Sequence, residues 1–197
     1  MNGRRLKFTA LGAGVLLGAS SLLAWTQNWF TLTLTTGDLV EVSGEAAAGG
    51  LAALGLSILA LVGALSIAGP VFRVILGVLA ASIGALVITS GSIAAADPIA
   101  ASSSAISEAT GVAGAQSLRA LVSTVAPSVW PVMTIVIGAL VVTLGVVVVV
   151  TSRSWGGSSR RFQAVRLESA DGEETPADVW DALSEGRDPT SGDRSSP

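Results

Sequence analysis

Cysteine and histidine are both missing from these 197 residues, and each absence closes off a body of chemistry. Without cysteine there is no disulfide framework, thiol nucleophile or thiolate metal ligand. Without histidine there is no Cys/His zinc site, no imidazole ligand for haem and no Ser-His-Asp arrangement. Charge is scarce as well: 13% of the residues are Asp, Glu, Lys or Arg, against roughly a quarter in a soluble domain. Apolar residues fill the gap. Half of the chain is hydrophobic and the mean hydropathy is +0.68, which points to a membrane protein.

A hydrocarbon core about 30 Å thick takes roughly 20 apolar residues in a helix. Four stretches meet that requirement, at about 8–25, 46–68, 71–95 and 130–151, with Gly69-Pro70 breaking the second from the third. The fourth ends in the run Val146 to Val150, which in water would suggest a buried strand. In lipid an isolated strand cannot satisfy its own backbone, so helix is expected. The first stretch has a rival reading, because Arg4, Arg5 and Lys7 form a basic n-region and Ala19 with Ser21 suits a signal-peptidase site. The apolar run continues through Leu22-Leu23-Ala24-Trp25, so a retained helix is expected; cleavage would leave three spans. The predicted fold is an all-α membrane protein: a bundle of four transmembrane helices over 1–152, followed by a cytoplasmic tail over 153–197.

The net charge of −3 conceals a segregation that sets orientation. Arg4, Arg5 and Lys7 precede the first span, Arg73 lies at the Gly69 turn, and Arg153, Arg160, Arg161 and Arg166 follow the last span. The other two connections hold Arg119 against Asp38, Glu41, Glu45, Asp97 and Glu108. Basic residues collect on the cytoplasmic side, so both termini are expected in the cytoplasm of a multi-pass cell-membrane protein. The aromatic residues agree. Trp25, Trp29, Phe30 and Trp130 cluster at the expected outer interface, while Phe8, Phe72, Trp155 and Phe162 fall near the inner one. Trp25, Trp29, Trp130 and Trp155 are the expected interface anchors in the lipid bilayer.

The first outer connection alternates threonine with apolar residues from Trp29 to Thr35, turns at Thr36-Gly37-Asp38, and resumes at Leu39-Val40-Glu41-Val42. This is a hairpin pattern. Two strands alone are marginal in water, so the hairpin should rest on the bilayer or on the second outer connection. It reads as a stiff connector or a small external lid. In the second connection, 96–129, short helices are expected at Ser102 to Ala109, ending near Gly111, and at Gln116 to Val125, where Leu118, Leu121, Val122 and Val125 share a face. That face suits the membrane surface or a cap on the bundle, and a ligand-gating loop is the alternative reading.

The tail is basic to Arg166, where anionic lipid would attract it. Beyond that it is acidic, rich in Pro, Ser and Gly, and expected to be disordered. Within it, Thr175-Pro176 and Asp178 begin, and Gly186 stops, a short helix over about 176–185. Val179, Trp180 and Leu183 form its apolar stripe. A helix this short needs a surface, either a cytoplasmic protein partner or the inner face of the protein or membrane.

Chemistry is hard to find. The spans carry no internal charge or mid-span proline, features expected of a solitary transporter, and isolated Ser57, Ser66, Ser82 and Thr143 can bond to their own helices. Acidic pairs lack a partner base or metal-ligand spacing. Val112-Ala113-Gly114 lacks the lysine of a phosphate loop. The acidic total disfavours nucleic acid. No enzyme, cofactor or metal is expected. Small residues recur at four-residue spacing at Gly14 and Gly18; at Ala60, Ala64 and Ala68; at Gly77, Ala81 and Ala85; and at Thr134 and Gly138. They suit close helix packing within the chain, or between copies in a homo-oligomer.

The order of these features has a counterpart. It runs from a first span ending in Ala24-Trp25, through a Thr-rich segment closing at Val42-Ser43-Gly44 and a Trp130-Pro131 start to the last span, to a tail reading Trp180-Asp181-Ala182-Leu183-Ser184-Glu185-Gly186-Arg187-Asp188-Pro189-Thr190. It resembles the actinobacterial tryptophan-biosynthesis-associated membrane protein family over nearly its whole length, most specifically in the tail string. The resemblance implies a link to tryptophan metabolism and supplies no catalytic residues. Two roles remain: a non-enzymatic accessory or scaffold, and a small transporter or transporter subunit for tryptophan or a related metabolite.

Overall fold

The computed structural model describes residues 3–152. Trp155, the tail helix expected over 176–185 and its stripe of Val179, Trp180 and Leu183 lie outside the described residues. Four long helices alternate in direction: α1 (Gly3–Thr26), α3 (Leu51–Ile67), α4 (Pro70–Ala96) and α8 (Trp130–Thr151). Helix α1 packs on α3 and α8, and α4 packs on α8 and α3, closing a four-helix ring. The tight turn at Gly69 marks one end, where Lys7 Nζ donates to the Ser66 carbonyl at 2.7 Å. All other connections gather at the opposite end as β1 (Asn28–Leu34), β2 (Leu39–Ser43), α2 (Gly44–Ala47), α5 (Pro98–Ala101), α6 (Ser103–Thr110), α7 (Ala115–Leu121) and β3 (Val122–Pro127).

Three helices are long and apolar enough to cross a membrane: Arg5–Thr26, Pro70–Ala96 and Trp130–Thr151. The expected second span, 46–68, is shorter than its apolar composition suggests. Ser43 Oγ accepts from Ala46 N and caps the separate one-turn α2, Gly49-Gly50 interrupts, and α3 begins only at Leu51. Its 17 residues reach about 26 Å at about 1.5 Å per residue. The bundle exterior is apolar, with Phe8, Leu16, Phe72, Leu86, Val136 and Val150 all exposed, a surface suited to lipid.

Lipid removes most of the hydrophobic drive for helix association, so close packing must supply it. The α4–α8 seam does so with glycines seven residues apart, two helical turns: Gly77, Gly84 and Gly91 on α4, and Gly138 and Gly145 on α8. A Cβ on Gly84 would lie 2.7 Å from Val142 N and 2.8 Å from the Gly138 carbonyl oxygen. The two backbones are in direct contact. Gly14 and Gly18 of α1 instead make room for the side chains of Val62 and Leu59 from α3. Of the expected small-residue pairs, Gly14, Gly18, Gly77, Thr134 and Gly138 are buried within the chain, whereas Ala60 and Ala85 face outward.

The expected hairpin is two-thirds of a sheet. The antiparallel order is β2-β1-β3, with Leu32 opposite Val40 on one side and Val125 on the other. The helix expected over 116–125 stops at Leu121, and Val122–Pro127 is extended. β-Branched Val122, Thr124 and Val125 suit a strand, Pro127 cannot continue a helix, and β1 offers an open edge. The third strand lifts the sheet above the marginal stability of a hairpin. A bulge between Asn28 and Phe30 breaks the alternation, so adjacent Trp29 and Phe30 both turn inward. They join Leu32, Leu34, Val42, Leu51, Ile106 and Leu118 in the core of this cap.

Candidate functional site

Ser102 Oγ donates to the Pro98 carbonyl at 2.6 Å, and Ile106 is fully buried against the cap core. These contacts fix α5 and α6. Asp97 caps α5, its Oδ1 accepting from Ala100 N at 3.1 Å. Helix α6 ends at Gly111, whose φ of 68° and N–H bond to the Ser107 carbonyl form a left-handed cap that glycine adopts without steric cost. Gly114, at φ 102°, turns the chain into α7, where Leu118 is buried and Arg119 points back to Asp97.

A cleft of about 420 Å³ opens between these three helices, within the range of small-molecule sites. Ile99 and Leu118 form apolar wall, Ser103, Ser104 and Ser107 line one side, and Arg119 stands at its edge. Arg119 Nη2 bonds Asp97 Oδ2, with the two side chains 57% and 40% exposed. A pair this wet contributes only about 0–1 kcal/mol, so it is cheaply opened. The serine hydroxyls differ from those on the long helices. Ser57, Ser82, Thr89 and Thr143 each donate to the carbonyl four residues back. Among the described residues, the hydroxyls of Ser103, Ser104 and Ser107 have no such partner.

Within the helix ring the space is small. Where Ile58, Leu65, Leu76, Val141 and Val148 converge, the void is about 20 Å³. A shallow groove of about 430 Å³ runs along α1 and α8 between Leu6, Leu17, Leu140 and Val147, and its lining is almost wholly apolar. Among the described residues no three acidic side chains converge as a metal site would require.

The expected interface anchors separate. Trp29 is fully buried, its Nε1 donating to the Ala24 carbonyl at 2.8 Å, and Phe30 is 1% exposed and meets it edge-on at 6.4 Å. Both belong to the cap core, because the bulge turns them inward. The Trp29 indole is a second donor to the Ala24 carbonyl, which also accepts from Gln27 N at 3.3 Å, and it leaves room only for glycine at position 44, where a Cβ would lie 2.6 Å from Nε1. Trp25 and Trp130 are half-buried against the same core. Ser21 Oγ and Trp25 Nε1, one turn apart on α1, are buried without a hydrogen-bond partner among the described residues. The cleft falls in the second connection, where a ligand-gating loop is one expectation, but no pattern in the sequence marks the cleft residues. Its one available signal is that Arg119 stands alone between Arg73 and Arg153 as a basic residue.

A family model described as tryptophan-associated transmembrane protein matches residues 7–190. No curated protein and no solved structure matches the chain.

Proposed function

The chain belongs to the family of tryptophan-associated transmembrane proteins, and from that membership we propose that it is a non-enzymatic accessory or scaffold protein of tryptophan metabolism. The observation that carries this reading is the packed interior. A void of about 20 Å³ among the four helices has room for about one water, and α4 and α8 touch backbone to backbone. An amino acid does not fit between the helices at the level of Ile58, Leu76 and Val148 unless they part. The spans also lack the mid-membrane ionisable groups on which secondary transport commonly depends.

On this reading α3 is the fourth span, since 17 residues meet the lower limit of about 17 for crossing a bilayer. The sheet end faces outward and both termini are cytoplasmic in the cell membrane, as the Lys/Arg distribution favours. The contact for a cytoplasmic protein is the tail stripe of Val179, Trp180 and Leu183. The decisive experiment is uptake of labelled tryptophan into proteoliposomes holding only this protein. Flux equal to that of empty vesicles is the expected result. Saturable flux would refute the accessory role and establish a small transporter.

A further inference from the structure

We propose that the cleft between α5, α6 and α7 binds a small zwitterion, an α-amino acid with an apolar side chain. The proposal concerns binding at the sheet end and is independent of whether the protein assists or transports.

Three features converge on this ligand class. The first is a charge pair of which Arg119 lines the cleft and Asp97, outside the lining, is bonded to lining residues Arg119 and Ala100. Only one guanidinium nitrogen of Arg119 is engaged, by Asp97 Oδ2. Its other N–H donors remain for a carboxylate, which guanidinium binds in a two-pronged geometry. Asp97 gives one oxygen to Ala100 N and the other to Arg119, and each carboxylate oxygen keeps further acceptor capacity for an ammonium. An anion alone would gain Arg119 but face Asp97, and a cation alone would meet the reverse. A zwitterion satisfies both without changing the charge of the site.

The second feature is the serine row. Ser103 and Ser107 lie four residues apart, on one face of α6, and line the cleft beside Ser104. Their hydroxyls are not spent on the α6 backbone, whereas the adjacent Thr110 hydroxyl bonds the Ile106 carbonyl at 2.7 Å. They stand ready as neutral donors and acceptors for the ligand's polar end. The third is the wall of Ile99 and Leu118, which offers an apolar side chain somewhere to lie. Asp97 is held by its capping bond, so half of the charge pair is already in place before a ligand arrives.

The test uses the full-length protein in lipid nanodiscs and titration calorimetry at neutral pH. The probes are L-tryptophan, L-leucine, tryptamine and indole-3-propionate. At least one amino acid should bind saturably below about 10 mM, with tryptamine and indole-3-propionate each about tenfold weaker than L-tryptophan if that is the binder. Arg119→Gln and Asp97→Asn should each weaken amino-acid binding about tenfold or more. Asparagine keeps the capping oxygen and Arg119 is exposed, so both variants should elute and unfold as wild type. Ser103→Ala/Ser107→Ala should weaken binding by a few fold. The proposal is overturned if neither amino acid binds, if indole-3-propionate binds as tightly as L-tryptophan, or if folded Arg119→Gln binds unchanged. A binding result without flux leaves the accessory role intact, and saturable flux together with Arg119-dependent binding refutes that role while leaving this site standing.

Discussion

Giving Gly138 a single methyl group probes what holds the two best-packed helices together. In Gly138→Ala the new Cβ would lie 2.8 Å from the Gly84 carbonyl oxygen, Ile88 N and Ile88 Cγ1, where ordinary contact begins at 3.4 Å. Two of these neighbours, the Gly84 oxygen and Ile88 N, are backbone atoms that cannot rotate away, so α4 and α8 must separate by about 0.6 Å. A radial gap of about 0.5–1 Å forfeits a quarter to a half of the dispersion between facing atoms, and overpacking of this kind costs about 1–3 kcal/mol. Alanine recovers up to about 1 kcal/mol of helix propensity. The net destabilisation should be about 1–2 kcal/mol. Gly63→Ala is the control. A Cβ there meets nothing within 4 Å, so that variant should be neutral or stabilised by up to about 1 kcal/mol. Reversible unfolding in mixed lipid–detergent micelles titrated with dodecyl sulfate gives both midpoints. Should Gly138→Ala resist unfolding as well as Gly63→Ala does, direct backbone contact is not what joins α4 to α8. The double variant Gly84→Ala/Gly138→Ala should fall short of additivity, because both methyls push the same helices apart.

Other expectations are more local. Trp29→Phe removes the indole bond to the Ala24 carbonyl and leaves a void, at a cost of about 1–3 kcal/mol; tryptic cleavage after Arg119 in the cap should quicken roughly fivefold or more, and an unchanged rate would remove Trp29 from the cap's support. The absence of native cysteine makes topology simple to read: a cysteine at Ala113 should react with an impermeant maleimide in intact cells and one at Gly69 only after lysis, the opposite pattern inverting the proposed orientation. In the tail, Trp180→Ala should cost about 2 kcal/mol or more of partner affinity, roughly thirtyfold, without changing membrane abundance. Recovery of the same cytoplasmic proteins by wild type, Trp180→Ala and a truncation after Ser169 would dismiss that contact.

Local signals carried much of the architecture. Apolar length placed α1, α4 and α8 closely, Thr alternation around Gly37 gave β1 and β2, and Gly111 marked the end of α6. The errors arose where the deciding partner lies far along the chain. Val122 to Val125 has a helical stripe and extended preferences at once, and the choice falls to β1, whose Thr33 carbonyl receives the Ser123 hydroxyl at 2.9 Å. Scanning for small residues four apart found pieces of the α4–α8 seam, but its rule is one glycine every seventh residue on two separate helices. Hydropathy also cannot tell a tryptophan at a membrane rim from one folded into a cap. The inward turn of Trp29 depends on a bulge with no marker of its own. Asp97 and Arg119, 22 residues apart, entered the sequence reading only as charges to be counted, since nothing local says that α5 and α7 meet.

The strand order also imposes a timetable on biosynthesis. As the chain emerges, β1 and β2 can pair at once, yet the other edge of β1 must wait until α3, α4 and the short helices α2, α5, α6 and α7 have been made. Strand β3 ends at Pro127 and α8 starts at Trp130, with Ser128 tied to both the Asn28 and Trp29 carbonyls. The closing strand is therefore delivered together with the last helix to enter the bilayer, and the non-local pairing it completes is the slow kind. During the interval β1 presents an unpaired edge of backbone donors and acceptors, open to mispairing. A chain halted before Val122 retains three of the long helices and leaves that edge of β1 without its strand partner.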